Sequence, residues 1–116
     1  MSFGIDMEHY VAQSLRGRGA KCDVNTKHTG AADVIATWPT GKSWRIQVKS
    51  TNRPGCAPAW PSNEEIRRLK MASTKTKETN QTPVVAHVFE DGTIKFHSVR
   101  AQNRRIIHPP DTRKRM

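Results

Sequence analysis

The stretch Trp44-Arg45-Ile46-Gln47-Val48-Lys49 is the clearest strand in the sequence and decides the class of the fold. Ile46 and Val48 alternate with polar neighbours, which is the period-two pattern of a half-buried strand. Gln47 and Lys49 are two residues apart, so their side chains leave the same face, about 6.6 Å apart along the strand. The pattern therefore predicts a sheet that carries two neighbouring polar side chains on one face.

Helices and further strands are predicted on both sides of this stretch. Ser62 is predicted to cap the second helix, with Glu65 completing a capping box. The order α-β-β-β-α-β-β predicts an α/β fold with a central mixed sheet flanked by helices. In chain order, the predicted elements are a helix over 4–16, strands over 20–26, 33–38 and 44–49, a helix from 62 to about 79, and strands over 83–89 and 93–97.

The chain is strongly basic, with 116 residues, 20 Lys+Arg and 10 Asp+Glu, and a net charge of +10. This length fits one domain, and the charge favours a polyanionic partner such as nucleic acid. No apolar stretch is long enough for a membrane span and no secretory signal is evident, so we expect a cytoplasmic protein without membrane contact. Half of the net charge lies in residues 99–116. We assign residues 1–98 to the domain and 99–116 to a basic C-terminal tail, which is either a partly disordered, solubilising end or an arm that grips phosphates.

Glu8, Asp33 and Lys49 are charged residues whose positions are not explained by the local helix and strand patterns. Glu8 falls within the apolar arc of the first helix, where a carboxylate is unfavourable without a partner. Asp33 opens an apolar strand, although Asp is a poor strand former. Two acids and a lysine beside a sheet suit a hydrolytic nuclease, because carboxylates hold Mg²⁺ and a lysine can stabilise charge on the scissile phosphate. Taken singly, each also fits a structural role as a helix-surface acid, a strand-end cap or a solvated lysine.

The order and spacing of these residues resemble the PD-(D/E)xK nuclease core, and within it the chain is most similar to archaeal-type Holliday junction resolvases. The likeness is close from Gly4 to Thr51 and covers the following helix and hairpin only in outline. It implies a restriction-endonuclease-like core and a homodimer that uses Mg²⁺, or Mn²⁺ in its place, to nick opposed strands of a four-way DNA junction in recombination and repair, in a prokaryotic or viral setting. The motifs that carry it are Gly4-Ile5-Asp6-Met7-Glu8, the helix end over 15–19, Thr29-Gly30, Asp33-Val34-Ile35-Ala36 and Lys49-Ser50-Thr51.

The resemblance assigns a role to each matching position. Glu8 and Asp33 would be metal ligands, and Lys49 the catalytic lysine. Thr29, in the loop before Asp33, would assist catalysis or contact DNA. Ala32 stands where the superfamily has its proline, a common departure.

Gln47 is the departure that matters, because the resolvases have glutamate at this position. The carbonyl oxygen of glutamine can still coordinate Mg²⁺, but the site loses one negative charge. We therefore interpret Gln47 as an altered metal ligand in an active site and expect weaker metal binding. Glu64 or Glu65, at the start of the second helix, could supply the missing charge.

Recognition of a junction would depend on shape and backbone charge, since so short a chain leaves no room for a separate sequence-reading domain. The two-fold symmetry of a junction implies a symmetric dimer, for which the apolar hairpin over 84–96 is a candidate surface as well as a candidate core. Trp60 is expected to be a buried anchor and the five histidines to have surface or packing roles. The candidate DNA contacts are Lys27, Lys42, Ser50, Thr51, Arg53, Arg67, Arg68 and Lys70.

Two other functions remain open at the level of sequence. A restriction- or repair-type nuclease that cuts duplex or flap DNA would use the same residues. A DNA-binding protein whose nuclease site has decayed at Gln47 would keep the net positive charge and would not cleave DNA.

Overall fold

A mixed sheet forms the centre of the fold in the computed structural model, which describes residues 3–24, 34–74 and 81–113. These residues form two helices and six strands. In chain order they are α1 (Phe3–Arg16), β1 (Lys21–Val24), β2 (Val34–Thr37), β3 (Ser43–Ser50), α2 (Asn63–Ser73), β4 (Thr82–Val88), β5 (Ile94–Ser98) and β6 (Arg105–Ile107). Neither helix is long and apolar enough to cross a membrane within this described part of the chain.

The six strands lie in the sheet in the same order as in the sequence, from β1 to β6. β3 and β4 run parallel, whereas the other neighbouring pairs are antiparallel. A parallel pair needs a crossover connection, and α2 lies in the connection between β3 and β4. The predicted α/β class and the mixed sheet are therefore confirmed.

The two helices lie on opposite faces of the sheet. Leu15 of α1 packs in one buried cluster with Ile46 and Val84, whereas Leu69 of α2 packs in a second cluster with Val85. Adjacent residues of β4 thus enter different clusters, as expected for a strand covered on both faces. Since Ile46 faces α1, the side chains of the residues next to it on β3 face α2.

α2 begins as predicted and ends earlier than predicted. Ser62 is its N-cap, and the capping box with Glu65 is present. The helix ends at Ser73 rather than near residue 79, because Thr74 has φ −117° and leaves the helical conformation. The Ser73 and Thr74 hydroxyls donate to the Leu69 and Lys70 carbonyl oxygens at 2.7 and 3.0 Å, so side chains bond the last backbone acceptors.

The segment over 99–116 that we assigned to a tail contains a strand that the sequence pattern did not predict. β6 pairs antiparallel with β5, and Ile107 packs against the cluster under α1. Beyond it, the Thr112 backbone N–H donates to the Arg18 carbonyl oxygen at 2.9 Å, next to the end of α1. The described part of this segment is therefore tied to both the sheet and α1.

Candidate functional site

Gln47 and Lys49 of β3 both contact Glu65 in the first turn of α2. Gln47 Nε2 donates to Glu65 Oε2 at 2.7 Å, and Lys49 Nζ lies 3.1 Å from the same oxygen. Both side chains therefore leave the α2 face of the sheet, as their spacing predicts. Of the two acids proposed to supply a missing charge, the structure brings Glu65 to this site, whereas Glu64 binds the Arg67 guanidinium at 2.9 Å.

The capping box fixes the Glu65 carboxylate. Its Oε1 accepts from the Ser62 backbone N–H at 3.0 Å, and its own backbone N–H donates to Ser62 Oγ at 3.1 Å. The Ser62 N–H bond, followed by the Lys49 and Gln47 donors, lowers the pKa of Glu65 to about 2 against the opposing effect of partial burial. Glu65 is thus ionised throughout the neutral range and acts only as an acceptor.

Gln47 Oε1 is a buried acceptor without a hydrogen-bond partner in the described part of the chain. Amide oxygen and nitrogen must be assigned from their neighbours, and an ionised Glu65 can bond only the Nε2 end. The oxygen therefore faces away from Glu65. A buried acceptor left unsatisfied costs about 1–3 kcal/mol, so this oxygen is suited to receive a donor or a cation.

Of the other predicted catalytic residues, the structure describes Glu8 alone. Glu8 lies half-buried on α1. Asp33, Thr29 and Lys27 lie outside the described residues. Val34, directly after Asp33 in the sequence, pairs with Ile46, directly before Gln47.

A cavity of about 300 Å³ lies where α1 meets the carboxyl ends of β3 and β4. Met7, which precedes Glu8, lines it together with Thr51, which follows Lys49 by two residues. The helix that carries Glu8 and the end of the strand that carries Lys49 therefore approach each other here. Within the described ranges, no group of three or more His, Cys, Asp or Glu residues could hold a metal ion, although the proposed ligands include Gln47 and the undescribed Asp33.

The candidate DNA contacts are spread over several surfaces. Ser50 and Thr51 are half-buried at the carboxyl end of β3, and Arg53 is exposed just beyond them. Lys42 is exposed at the opposite end of the strand, roughly 23 Å away at 3.3 Å per residue. The structure therefore groups the first three near Lys49 and leaves Lys42 apart.

The candidates on α2 lie on and near its solvent face. Arg67 and Arg68 are both exposed and both pair with Glu64, Arg68 at 3.3 Å. Lys70 is half-buried in the last turn. Glu64 partly neutralises this side of the helix, which the count of basic residues alone did not show.

A histidine cluster, formed by His87, His97, Trp60 and Arg104, was not predicted from the sequence. His87 of β4 and His97 of β5 have ring centroids 5.0 Å apart, and the Trp60 ring lies 4.5 and 4.8 Å from them. The Arg104 guanidinium lies 3.9 Å from the centre of the Trp60 ring, a cation–π geometry. Trp60 is therefore the packing anchor of the loop before α2.

The environment of these histidines disfavours their charged forms. Burial, then His97 and Arg104, lowers the pKa of His87 to about 4. Burial, then Lys95 and Arg104, lowers the pKa of His97. Sequence spacing gave no signal for this pair, because the two histidines are ten positions apart on either side of a turn and only strand pairing brings them together.

No protein-family model matches the chain, and no curated protein matches it significantly. The likeness to the resolvases therefore depends on the quoted sequence motifs.

Proposed function

We propose that the protein is a structure-selective, Mg²⁺-dependent DNA endonuclease with a restriction-endonuclease-like core, which resolves four-way junctions by paired symmetric nicks. The observation that carries the proposal is that Gln47 and Lys49, both in the carboxyl half of β3, contact the same oxygen of Glu65. The neighbouring strand β2 begins directly after Asp33, and its first residue pairs with Ile46. The resemblance gives these positions the roles of metal ligands and catalytic lysine.

The proposed donor set fits a hard divalent cation. Glu8 and Asp33 offer carboxylates, and Gln47 offers Oε1, the buried acceptor without a described partner. All are oxygen donors, which Mg²⁺ and Mn²⁺ prefer. When bound, the ion would polarise the scissile phosphate and lower the pKa of a bound water.

The chain's own side chains would bind and orient the phosphate. Lys49 carries three donors, of which the contact with Glu65 uses one, so its ammonium can also neutralise charge that develops on the scissile phosphate. Ser50, Thr51 and Arg53 follow directly and would contact flanking phosphates. The net charge of +10 would draw DNA to the protein.

The proposed substrate determines the proposed assembly. A four-way junction has two-fold symmetry and needs two cuts, which a symmetric homodimer with one site per protomer would make. Such an enzyme would act in recombination and repair in the cytoplasm of a prokaryotic cell, including one infected by a virus.

The test is incubation of an end-labelled four-way junction with the protein and Mg²⁺, with products mapped on each strand. Paired symmetric nicks are expected, together with at least a 100-fold loss of cleavage in Lys49→Ala and junction binding within about threefold of wild type. Lys21→Ala, on the exposed edge strand β1, is the matched control and should cut normally.

Each alternative function has its own outcome in this experiment. Equal cleavage of a linear duplex with the same arms would identify a duplex nuclease and exclude a junction resolvase. Tight binding without cleavage in Mg²⁺ or Mn²⁺ would identify a DNA-binding protein with a decayed site.

A further inference from the structure

The two oxygens of the Glu65 carboxylate have separate partners. Oε1 accepts from the N-cap backbone of Ser62, and Oε2 accepts from both Gln47 and Lys49. The first contact holds the carboxylate at the start of α2, and the second connects it to β3. Glu65 thus links the helix cap to the two polar residues of the strand.

The contact with Gln47 selects one orientation of an asymmetric group. An amide presents an oxygen on one side and an NH₂ group on the other. A turned amide would place Oε1 against Glu65 Oε2, two acceptors without a proton between them. The carboxylate therefore keeps Nε2 towards α2 and Oε1 on the other side, where it is buried without a described partner.

We propose that Glu65 is a positioning residue. It orients the Gln47 carbonyl oxygen as a ligand of the divalent cation and holds the Lys49 ammonium beside that oxygen. This inference rests on the proposed function. A glutamate at position 47 would need no such partner, because its two oxygens are equivalent in either orientation. Glu65 thus compensates for the glutamine at the position where the resolvases have glutamate.

Glu65→Gln separates this role from helix capping. A capping box accepts Gln as well as Glu, so the variant keeps the Ser62 contact and the helix start. With its oxygen kept on the Ser62 N–H, a glutamine at 65 presents its NH₂ group to Gln47 and no longer holds Gln47 Nε2 towards α2. Glu64→Gln is the matched control, since it removes the same charge one residue away and leaves Gln47 and Lys49 untouched.

The first readout is the side-chain amide of Gln47 in metal-free and DNA-free protein, observed by ¹⁵N–¹H NMR and assigned by its loss in Gln47→Glu. In wild type and in Glu64→Gln, we expect one downfield-shifted NH₂ pair with slow rotation of the amide. In Glu65→Gln, this pair should shift and exchange faster. An unchanged pair in Glu65→Gln would overturn the positioning role whether or not the protein cleaves DNA.

The second readout is the single-turnover cleavage rate of the junction at saturating protein and Mg²⁺. Glu65→Gln should cut at least 10-fold more slowly than Glu64→Gln. The double variant Glu65→Gln with Gln47→Glu should recover to within about threefold of wild type, because a carboxylate at 47 needs no orientation. Absence of rescue would overturn the proposal, whereas absence of cleavage by wild type would overturn the proposed function and leave the NMR readout to decide the role of Glu65.

Discussion

Gly19 is the residue at which the end of α1 meets the C-terminal segment. It has φ +98°, and a Cβ atom added there would overlap Thr112 Oγ1. Thr112 also donates its backbone N–H to the carbonyl oxygen of Arg18. Glycine is therefore required both for the backbone conformation and for the close approach of another segment.

Gly19→Ala should destabilise the protein more than Gly41→Ala, which is its matched control. Gly41 has a similar φ of +93° with no atom within 4 Å of an added Cβ, so alanine there adds only backbone strain. We expect an additional loss of about 1–3 kcal/mol in the free energy of unfolding for Gly19→Ala. Urea unfolding followed by tryptophan fluorescence measures both variants. Equal losses would show that the contact with Thr112 contributes nothing.

At the scale of elements, the loop before α2 is fastened to the sheet through aromatic contacts. Trp60 covers His87 on β4 and His97 on β5, and Arg104 from the segment before β6 covers Trp60. The Nε2 atoms of both histidines are buried without partners among the described residues. Protonation of either imidazole would place a buried cation beside Arg104 and the other histidine.

This arrangement predicts an acid-dependent loss of stability. The pKa of His87 is about 4 in the fold against 6.5 as its ordinary value, so the unfolded chain binds the proton more tightly. Stability from this group is complete above pH 6.5 and is lost as the pH falls towards 4. Between pH 7.5 and 5.0, the free energy of unfolding should drop by about 2 kcal/mol on account of His87.

Urea unfolding at these two pH values, in wild type and in His87→Gln, measures the effect. In the variant, most of the difference in the free energy of unfolding between pH 7.5 and 5.0 should disappear. His9→Gln, on the exposed side of α1, should keep it. A His87→Gln variant with the wild-type pH dependence would contradict the assignment to this cluster.

At the scale of the whole molecule, the basic segment over 99–116 contributes structure as well as charge. β6 extends the sheet, Ile107 joins the core and Arg104 covers Trp60. Some of the basic side chains of this segment are therefore carried by folded residues, including Arg105 in β6. The arm that could contact phosphates and the edge of the sheet are the same part of the chain.

Truncation after Val99 should therefore lower the melting temperature. Loss of β6, of the Arg104 contact and of the Thr112 hydrogen bond should cost at least about 2 kcal/mol, or roughly 10 °C. Arg105→Gln, which removes a charge from β6 and keeps its backbone pairing, should melt near wild type. Thermal unfolding followed by tryptophan fluorescence checks both. An unchanged melting temperature after truncation would show that the segment serves only as a charged end.

The predictable part of the fold was the part with local patterns. The period-two alternation around Ile46 and the capping box of Ser62 and Glu65 were evident within a few residues, and the structure has both. β6 was not predictable, because a three-residue strand has too little pattern and depends on pairing with β5. For the candidate site, the sequence predicted Gln47 and Lys49 on one face but offered Glu64 and Glu65 as equal partners.

The sequence by itself determined the α/β class, the mixed sheet and the common face of Gln47 and Lys49, because backbone periodicity is a local property. It also determined the net positive charge. Only the tertiary structure decided that Glu65 meets both residues, since the crossover through α2 joins positions 16 and 18 residues apart. The histidine cluster and the folded C-terminal segment were likewise decided by packing between strands and loops, which no short stretch of sequence encodes.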